Sequence, residues 1–218
     1  MNRDELIGAL VADLTPVRRL PGAGARAGLW AGLAIAWVGL CAAALGTRPD
    51  LASKLREIGF LAENAVLAGV FAAAARWVFQ LALPGAAPSV PVQLAPALGF
   101  AAWVVALAAR AAAAGPGAIA WTAGLPCAAR VAGLSLAPAA ALFVMLRRAT
   151  PAARGWSGLL ALASPGALAV IGTQLVCAKD APGHILVWHA GPLVAVALVG
   201  IVAGGAWLGP RGPIARIA

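Results

Sequence analysis

The run Ala27-Gly-Leu-Trp-Ala-Gly-Leu-Ala-Ile-Ala-Trp-Val-Gly-Leu-Cys-Ala-Ala-Ala-Leu-Gly46 holds twenty residues without a charge. A helix of about 20 apolar residues crosses the hydrocarbon core of a bilayer, so this run predicts a transmembrane helix. Further apolar runs lie at residues 60–83, 94–109, 125–146, 155–177 and 185–208. The chain is therefore predicted to be all-α, a polytopic membrane protein folded as a bundle of six transmembrane helices.

The composition excludes a soluble globule. Of the 218 residues, 62% are hydrophobic and only 11% are charged, which leaves too little polar surface to face water. The net charge of +9 is spread along the chain, which favours contact with lipid headgroups over direct nucleic-acid binding. We expect a cytoplasmic N-terminal amphipathic segment at residues 1–26, a six-helix transmembrane domain at 27–208 and a cytoplasmic tail at 209–218.

The basic residues predict how the chain is oriented, because cytoplasmic loops carry an excess of arginine and lysine. Placing the N-terminus in the cytoplasm puts ten of the sixteen basic residues on that side: Arg3, Arg18, Arg19, Arg26, Arg76, Arg147, Arg148, Arg154, Arg211 and Arg216. The loop between spans four and five, with three of them, carries most of this argument. Both termini are therefore predicted to be cytoplasmic.

An apolar stripe marks the N-terminal segment. Leu6, Ile7, Leu10, Val11 and Leu14 recur at helical spacing, acids precede them, and Thr15-Pro16 follows. This pattern predicts a short amphipathic helix with its acids at the favourable end of the helix dipole. Two roles are open: the helix lies on the lipid surface, or it docks in the groove of a partner.

Two charged residues interrupt the second span. Glu63 and Arg76 would lie roughly 20 Å apart along one helix axis, so they cannot pair with each other within it. We expect each side chain to reach the nearer membrane interface, in preference to an ion pair with another helix.

Small residues in the first and last spans predict close contact between helices. These are Gly28, Gly32, Gly200, Gly204 and Gly205. Their expected role is in packing, not in chemistry.

The stretch Cys177-Ala-Lys-Asp-Ala-Pro-Gly-His184-Ile-Leu-Val-Trp-His189 holds both histidines of the chain. In the predicted topology Cys127 begins a helix that enters from the outer face, and Cys177 ends a helix that returns to it. The two cysteines can form a disulfide if their Cα atoms lie within about 7 Å. Reduced, they can bind a thiophilic metal ion together with His184 or His189.

Simpler interpretations of these residues also stand. A cysteine in an apolar helix is commonly a small core residue, which is our interpretation of Cys41, and His189 beside Trp188 fits an interfacial residue. The spacing from Cys177 to His184 and His189 matches no zinc-finger pattern.

Five segments, in this order along the chain, resemble one family of bacterial membrane proteins. They are Leu6-Ile-Gly-Ala-Leu-Val-Ala-Asp-Leu-Thr-Pro-Val-Arg-Arg-Leu20, Leu81-Ala-Leu-Pro-Gly85, Cys127, Leu146-Arg-Arg-Ala-Thr-Pro151 and the segment from Cys177 to Trp188. The family is the negative regulator of sigma F, six-span anti-sigma factors for extracytoplasmic-function sigma factors. The chain departs from it at His189, where members often carry tyrosine.

The resemblance implies a function and its residues. A membrane anti-sigma factor in the bacterial inner membrane would sequester its sigma factor at the cytoplasmic face and release it when Cys127 and Cys177 sense metal or oxidative stress outside. Residues expected to contact the sigma factor are Leu6, Ile7, Leu10, Val11, Leu14, Pro16, Arg18 and Arg19. We expect no enzymatic activity and no obligatory cofactor, with a thiophilic metal ion acting as a signal.

Two other classes of membrane protein are alternatives, a thiol-disulfide oxidoreductase and a small transporter. A membrane thiol-disulfide oxidoreductase usually has a Cys-x-x-Cys pair, and this chain has none. A small transporter usually shows buried acids or an internal repeat, and the sequence has neither an array of acids in its spans nor a visible repeat.

Overall fold

A computed structural model of the chain describes residues 2–12, 21–83, 89–115, 124–149 and 151–209. The fold is 84% helix, and no strand occurs within those ranges. Six helices are long and apolar enough to cross a membrane, which confirms the predicted all-α, six-span class.

The helices are named in chain order. They are α1 Arg3–Ala12, α2 Ala23–Leu45, α3 Leu51–Lys54, α4 Ile58–Leu81, α5 Val90–Ala113, α6 Leu125–Arg147, α7 Arg154–Val176, α8 Pro182–Ile185 and α9 Gly191–Trp207. A π-helical turn, Leu186–Ala190, joins α8 to α9, so the sixth span runs Pro182–Trp207.

The third span is longer than its predicted range of 94–109, because α5 accommodates two prolines. Pro91 lies in the first turn, where a missing N–H costs no helical hydrogen bond, and Pro96 lies inside the helix. The stretch 111–124, which lies between the third and fourth predicted spans, begins with the last turn of α5, and residues 116–123 lie outside the described ranges.

Antiparallel spans give the bundle two distinct ends. At one end α2 finishes, α4 begins, α6 begins, α7 finishes and α8 begins; we call it the cysteine end because it holds Cys127 and Cys177. At the other, the arginine end, α2 begins and α6 finishes, and Arg26, Arg147 and Arg154 lie there. Since α1 precedes α2, the N-terminal helix leads into the arginine end.

Helix α7 occupies the centre of the bundle. In its most apolar window 67% of the residues are buried, compared with 22% to 44% in the other five spans. It packs against α2, α4, α6 and α9, and Ser164 Oγ donates a hydrogen bond of 2.9 Å to the carbonyl of Phe71 in α4. Helix α7, which ends beside Cys177, therefore contacts four of the other five spans.

Glycines bring α7 and α9 into backbone contact. A Cβ atom at Gly200 or Gly204 would overlap the backbone of α7 at Gly158 or Arg154, which confirms the packing role predicted for these two glycines. The same role predicted for Gly205, Gly28 and Gly32 is wrong, because a Cβ at those positions meets nothing within 4 Å: Gly205, Gly28 and Gly32 face away from the neighbouring helices.

The expectation for Glu63 was also wrong. Its carboxylate pairs with Arg110 of α5, and its side chain is only 15% exposed, so it does not simply extend to the interface. Arg76 is exposed, as expected. Prediction from one helix missed the pair, since Arg110 comes from the neighbouring span.

The N-terminal helix α1 begins with a capping box. The Asn2 side-chain oxygen accepts hydrogen bonds from the N–H groups of Asp4 and Glu5, and the Asn2 N–H donates 2.8 Å to the Glu5 carboxylate. All residues of α1 are exposed, including Leu10 at 61% and Val11 at 60%. The described part of its apolar stripe, Leu6, Ile7, Leu10 and Val11, is therefore exposed. Leu14, Pro16, Arg18 and Arg19 lie outside the described residues.

Candidate functional site

The two cysteines of the cysteine end lie side by side. Cys127 sits in the first turn of α6, and Cys177 caps the C-terminus of α7. Their Sγ atoms are 3.4 Å apart, although 50 residues separate them in sequence. Antiparallel packing of α6 on α7 brings them together, because the start of one helix faces the end of the other.

Both histidines join the cysteines. His184 Nε2 lies 3.6 Å from Cys177 Sγ, and the ring centroids of His184 and His189 are 5.4 Å apart. One ligand atom from each of the four residues lies within 4.8 Å of the other three. We call Cys127, Cys177, His184 and His189 the thiol-imidazole cluster.

All four residues of the cluster are buried. Its members are 4%, 5%, 2% and 1% exposed in chain order. The interpretation of His189 as an interfacial residue is wrong, because its ring is directed into the bundle and contacts His184. Cys41, in α2, is half-buried against the core, in agreement with a packing role.

The π-helical turn explains how two histidines five residues apart meet. In a regular α-helix, five residues rotate a side chain by about 140° from its starting face. The turn at Leu186–Ala190 closes with the Gly191 N–H bonded to the Leu186 carbonyl, five residues back. Such a wide turn reduces the angular separation of His184 and His189, and π turns often occur at functional sites.

An ion-pair network anchors the loop between Cys177 and His184. Asp180, in that loop, accepts hydrogen bonds of 2.7 and 2.8 Å from Arg48, which follows α2. Arg48 also bonds Asp50 at 2.7 and 2.9 Å, and its backbone N–H donates to the carbonyl of Leu175. Lys54 lies 2.8 Å from the same Asp180 carboxylate. Arg48, only 3% exposed, thus pins the cluster's loop to the end of α2.

Each charged side chain of this network stabilises the charged form of its partner. Hydrogen bonds from Arg48 hold the pKa of the Asp180 carboxyl below its ordinary value, against a partial burial that raises it. The hydrogen bond to Asp180, and then the one to Asp50, raise the pKa of the Arg48 guanidinium. Arg48, Asp50 and Asp180 are therefore charged at neutral pH.

Sequence reasoning did not identify Arg48, Asp180 or the pair formed by Glu63 and Arg110 as site residues. Residues 48–57 lie between two predicted spans and carry charges of both signs, a pattern that indicates only a polar connection. The available signal was the position of Asp180 inside the Cys-His stretch, but nothing in the sequence marks its partner 132 residues away.

The cluster fits a tetrahedral metal ion with two sulfur and two nitrogen ligands. With metal–sulfur distances of about 2.3 Å, two thiolates stand about 3.8 Å apart in such a site, close to the 3.4 Å between Cys127 and Cys177. Neither nitrogen of His189 has a hydrogen-bond partner among the described residues, so either is free to coordinate. The same thiols are close enough to be oxidised to a disulfide after a small approach.

These features define a class: a polytopic α-helical membrane protein with a buried thiol-imidazole cluster at one end of its bundle. The sequence model of the family described as negative regulator of sigma F matches residues 10–209. The chain therefore belongs to the negative regulator of sigma F family, whose name identifies a negative regulator of a sigma factor. No curated protein and no solved structure matches the chain.

Proposed function

We propose that this protein is a membrane anti-sigma factor for an extracytoplasmic-function sigma factor, and that the thiol-imidazole cluster is its sensor. At rest the protein holds the sigma factor at the cytoplasmic face. A thiophilic metal ion bound by Cys127, Cys177, His184 and His189, or oxidation of the two thiols, releases it. The observation that carries this proposal is the 3.4 Å contact between two buried thiols beside two imidazoles.

The bacterial inner membrane is the proposed location, with both termini cytoplasmic. Arginines of the arginine end, Arg147, Arg148 and Arg154, support this orientation. The cluster then faces the oxidising side of the membrane.

The sigma factor is proposed to bind the apolar stripe of α1. Leu6, Ile7, Leu10 and Val11 are all exposed on one helix, and an amphipathic helix is a common ligand for a hydrophobic groove. Leu14, Pro16, Arg18 and Arg19 are proposed to extend this surface. Membrane lipid, which the same stripe would also suit, competes for it.

Helix α2 is the proposed connection between the two ends. Its cysteine end continues into Arg48, and its arginine end is preceded by the segment that carries α1. Along its length α2 packs on α6 and α7: Trp30 Nε1 donates 3.0 Å to the Pro138 carbonyl, and Val38 fills the space beside Gly172. A change at the cluster therefore has a packed path to the sigma-binding segment.

The free energy of metal binding at the cluster is sufficient to release the sigma factor. A shift from mostly bound to mostly released sigma factor needs about 5 kcal/mol of differential binding. Structural thiolate sites for zinc contribute about 10–16 kcal/mol at neutral pH, so a fraction of that is enough to favour one arrangement of the helices.

Co-purification tests the proposal. Wild-type protein, the Cys127→Ser/Cys177→Ser double variant and a matched Cys41→Ser control are each isolated with bound sigma factors, before and after a cadmium pulse. We expect a sigma factor to leave the wild type and the Cys41→Ser protein on cadmium but to stay on the double variant. Failure to recover any sigma factor would remove the anti-sigma proposal, and cadmium-driven release from the double variant would remove the sensor.

The burial of both thiols argues against the thiol-disulfide oxidoreductase alternative. Exchange with a substrate protein needs an accessible attacking thiol, whereas Cys127 and Cys177 are each at most 5% exposed.

A further inference from the structure

A polar pocket of about 250 Å³ opens beside the cluster at the cysteine end. Exposed residues form its rim, among them Glu57, Gly59 and Lys179, and buried residues form its floor: Gln174, Cys177 and His189. We call it the vestibule. It connects the surface of the bundle with part of a site that is otherwise sealed.

The floor of the vestibule carries buried polar groups that have no hydrogen-bond partner among the described residues. Gln174 is 3% exposed, and neither its amide nitrogen nor its amide oxygen has a hydrogen-bond partner among the described residues. His189 is 1% exposed, and the same is true of both its nitrogens. Because burying such groups without partners is costly, water or a hydrated ion must satisfy them.

The rim does not select strongly for one sign of charge. Glu57 pairs with Lys54, Glu63 with Arg110, and Asp180 with Arg48 and Lys54. With Lys179 counted, four basic residues face three acidic ones in the lining, so its net formal charge is only +1 and a hydrated cation meets no strong barrier of like charge there. Selection is left to the sulfur and imidazole groups of the floor.

The vestibule reaches only half of the cluster. Cys177 and His189 line it, whereas Cys127 and His184 do not. We infer that a hydrated thiophilic divalent cation enters through the vestibule and is captured in a fixed order, first by Cys177 and His189 and then by Cys127 and His184. This inference rests on the proposed sensor function and names its access route and its first ligand.

The capture step balances with water and protons. Two water ligands of the cation are replaced by the Cys177 sulfur and a His189 nitrogen, and two more by Cys127 and His184. Any further water ligands leave as the ion becomes four-coordinate. Each thiol that becomes a thiolate ligand loses one proton, so two protons leave to the water of the vestibule. No oxidant or reductant takes part.

The test measures thiol accessibility in detergent-solubilised full-length protein, with a cationic methanethiosulfonate reagent as the probe. In a Cys41→Ser background, one variant keeps only Cys177 and another keeps only Cys127. We expect Cys177 to react at least about tenfold faster than Cys127, which corresponds to about 1.4 kcal/mol in barrier. Both must react fully after denaturation, which shows that the thiols are intact.

A matched pair of variants tests the route itself. Gly59→Trp places a bulky ring at the rim, whereas Gly69→Trp adds the same ring to an exposed position of the same helix that does not line the vestibule. Gly59→Trp should slow both Cys177 modification and cadmium uptake by about tenfold while the final cadmium stoichiometry stays the same, and Gly69→Trp should change neither.

Equal reaction rates for the two thiols, or no effect of Gly59→Trp, would overturn the inference. These readouts involve no sigma factor. Failure of cadmium to release a sigma factor therefore leaves them intact, and their failure leaves the release assay intact, so the two proposals are judged separately.

Discussion

Arg48 and Asp180, 132 residues apart in sequence, share two hydrogen bonds of 2.7 and 2.8 Å at the cysteine end. One residue follows α2, and the other lies in the loop between Cys177 and His184. The loop that carries the cluster is therefore held to the helix that leads towards the N-terminal segment.

Substituting Asp180→Asn should weaken this anchor. The amide keeps the shape but loses the charge, so Arg48, buried at 3% exposure, keeps only Asp50 as an ionic partner. Because Asp180 is partly exposed, we expect a loss of about 1–2 kcal/mol in the free energy of unfolding, measured by thermal unfolding in detergent. Glu57→Gln, which removes an exposed partner of Lys54, is the control and should cost less than about 1 kcal/mol.

Acidification should erase the difference between wild type and Asp180→Asn. The folded-state pKa of Asp180 is lowered by Arg48, below the ordinary value of about 3.9. The stability that the carboxylate contributes is thus complete above that ordinary value and is lost as the pH falls through the folded pKa. The stability difference should be constant above about pH 3.9 and should shrink as the pH falls further; a gap that stays constant on acidification would mean that Asp180 acts through packing alone.

The histidines should contribute to cadmium affinity. His189→Ala removes one of the four groups whose ligand atoms lie within 4.8 Å of one another, and we expect at least about tenfold weaker cadmium binding. Calorimetry on the purified protein measures this change, and Cys41→Ser, outside the cluster, should bind as the wild type does. Unchanged affinity in His189→Ala would restrict the metal ligands to the other three residues.

The apolar stripe of α1 should be needed for repression. Leu10→Asp places a charge on a side chain that is 61% exposed and should free the sigma factor without any signal. Ala9→Asp adds the same charge to the same helix, on a different face, and serves as the control. Sigma-dependent reporter expression measures the outcome, and full repression by Leu10→Asp would exclude the stripe as the binding surface.

Close packing of α7 on α9 should tolerate no side chain at Gly200. A Cβ there would overlap the backbone of Gly158, so Gly200→Val should lower the free energy of unfolding by about 1–3 kcal/mol. Gly205→Val, on the same helix but with nothing within 4 Å of its Cβ, is expected to be nearly neutral. Equal effects at both positions would assign the loss to helix propensity.

The spans were predictable because each is marked by a local property, a run of about 20 residues with few charges. Counting the predicted spans was enough to place Cys127 and Cys177 at the same end of the bundle, and the spans themselves are local features of the sequence. The partners of Glu63 and Asp180 were not predictable in this way. Arg110 and Arg48 belong to other segments, and which charged residues meet depends on how the helices pack.

His189 shows a second limit. Beside Trp188 it has the pattern of an interfacial residue, and an ordinary α-helix would direct it away from His184. The π-helical turn changes that direction, and no sequence signal used for helices marks such a turn.

Under the proposed function, the four residues of the thiol-imidazole cluster also set the moment during synthesis at which the metal site is complete. They come from the start of α6, the end of α7, α8 and the turn before α9. A ribosome that has delivered only the first five spans into the membrane has made a chain with both thiols but neither imidazole. Such a nascent chain already carries α1, so under the proposed function newly made protein would bind its partner before it gains a complete four-ligand metal site.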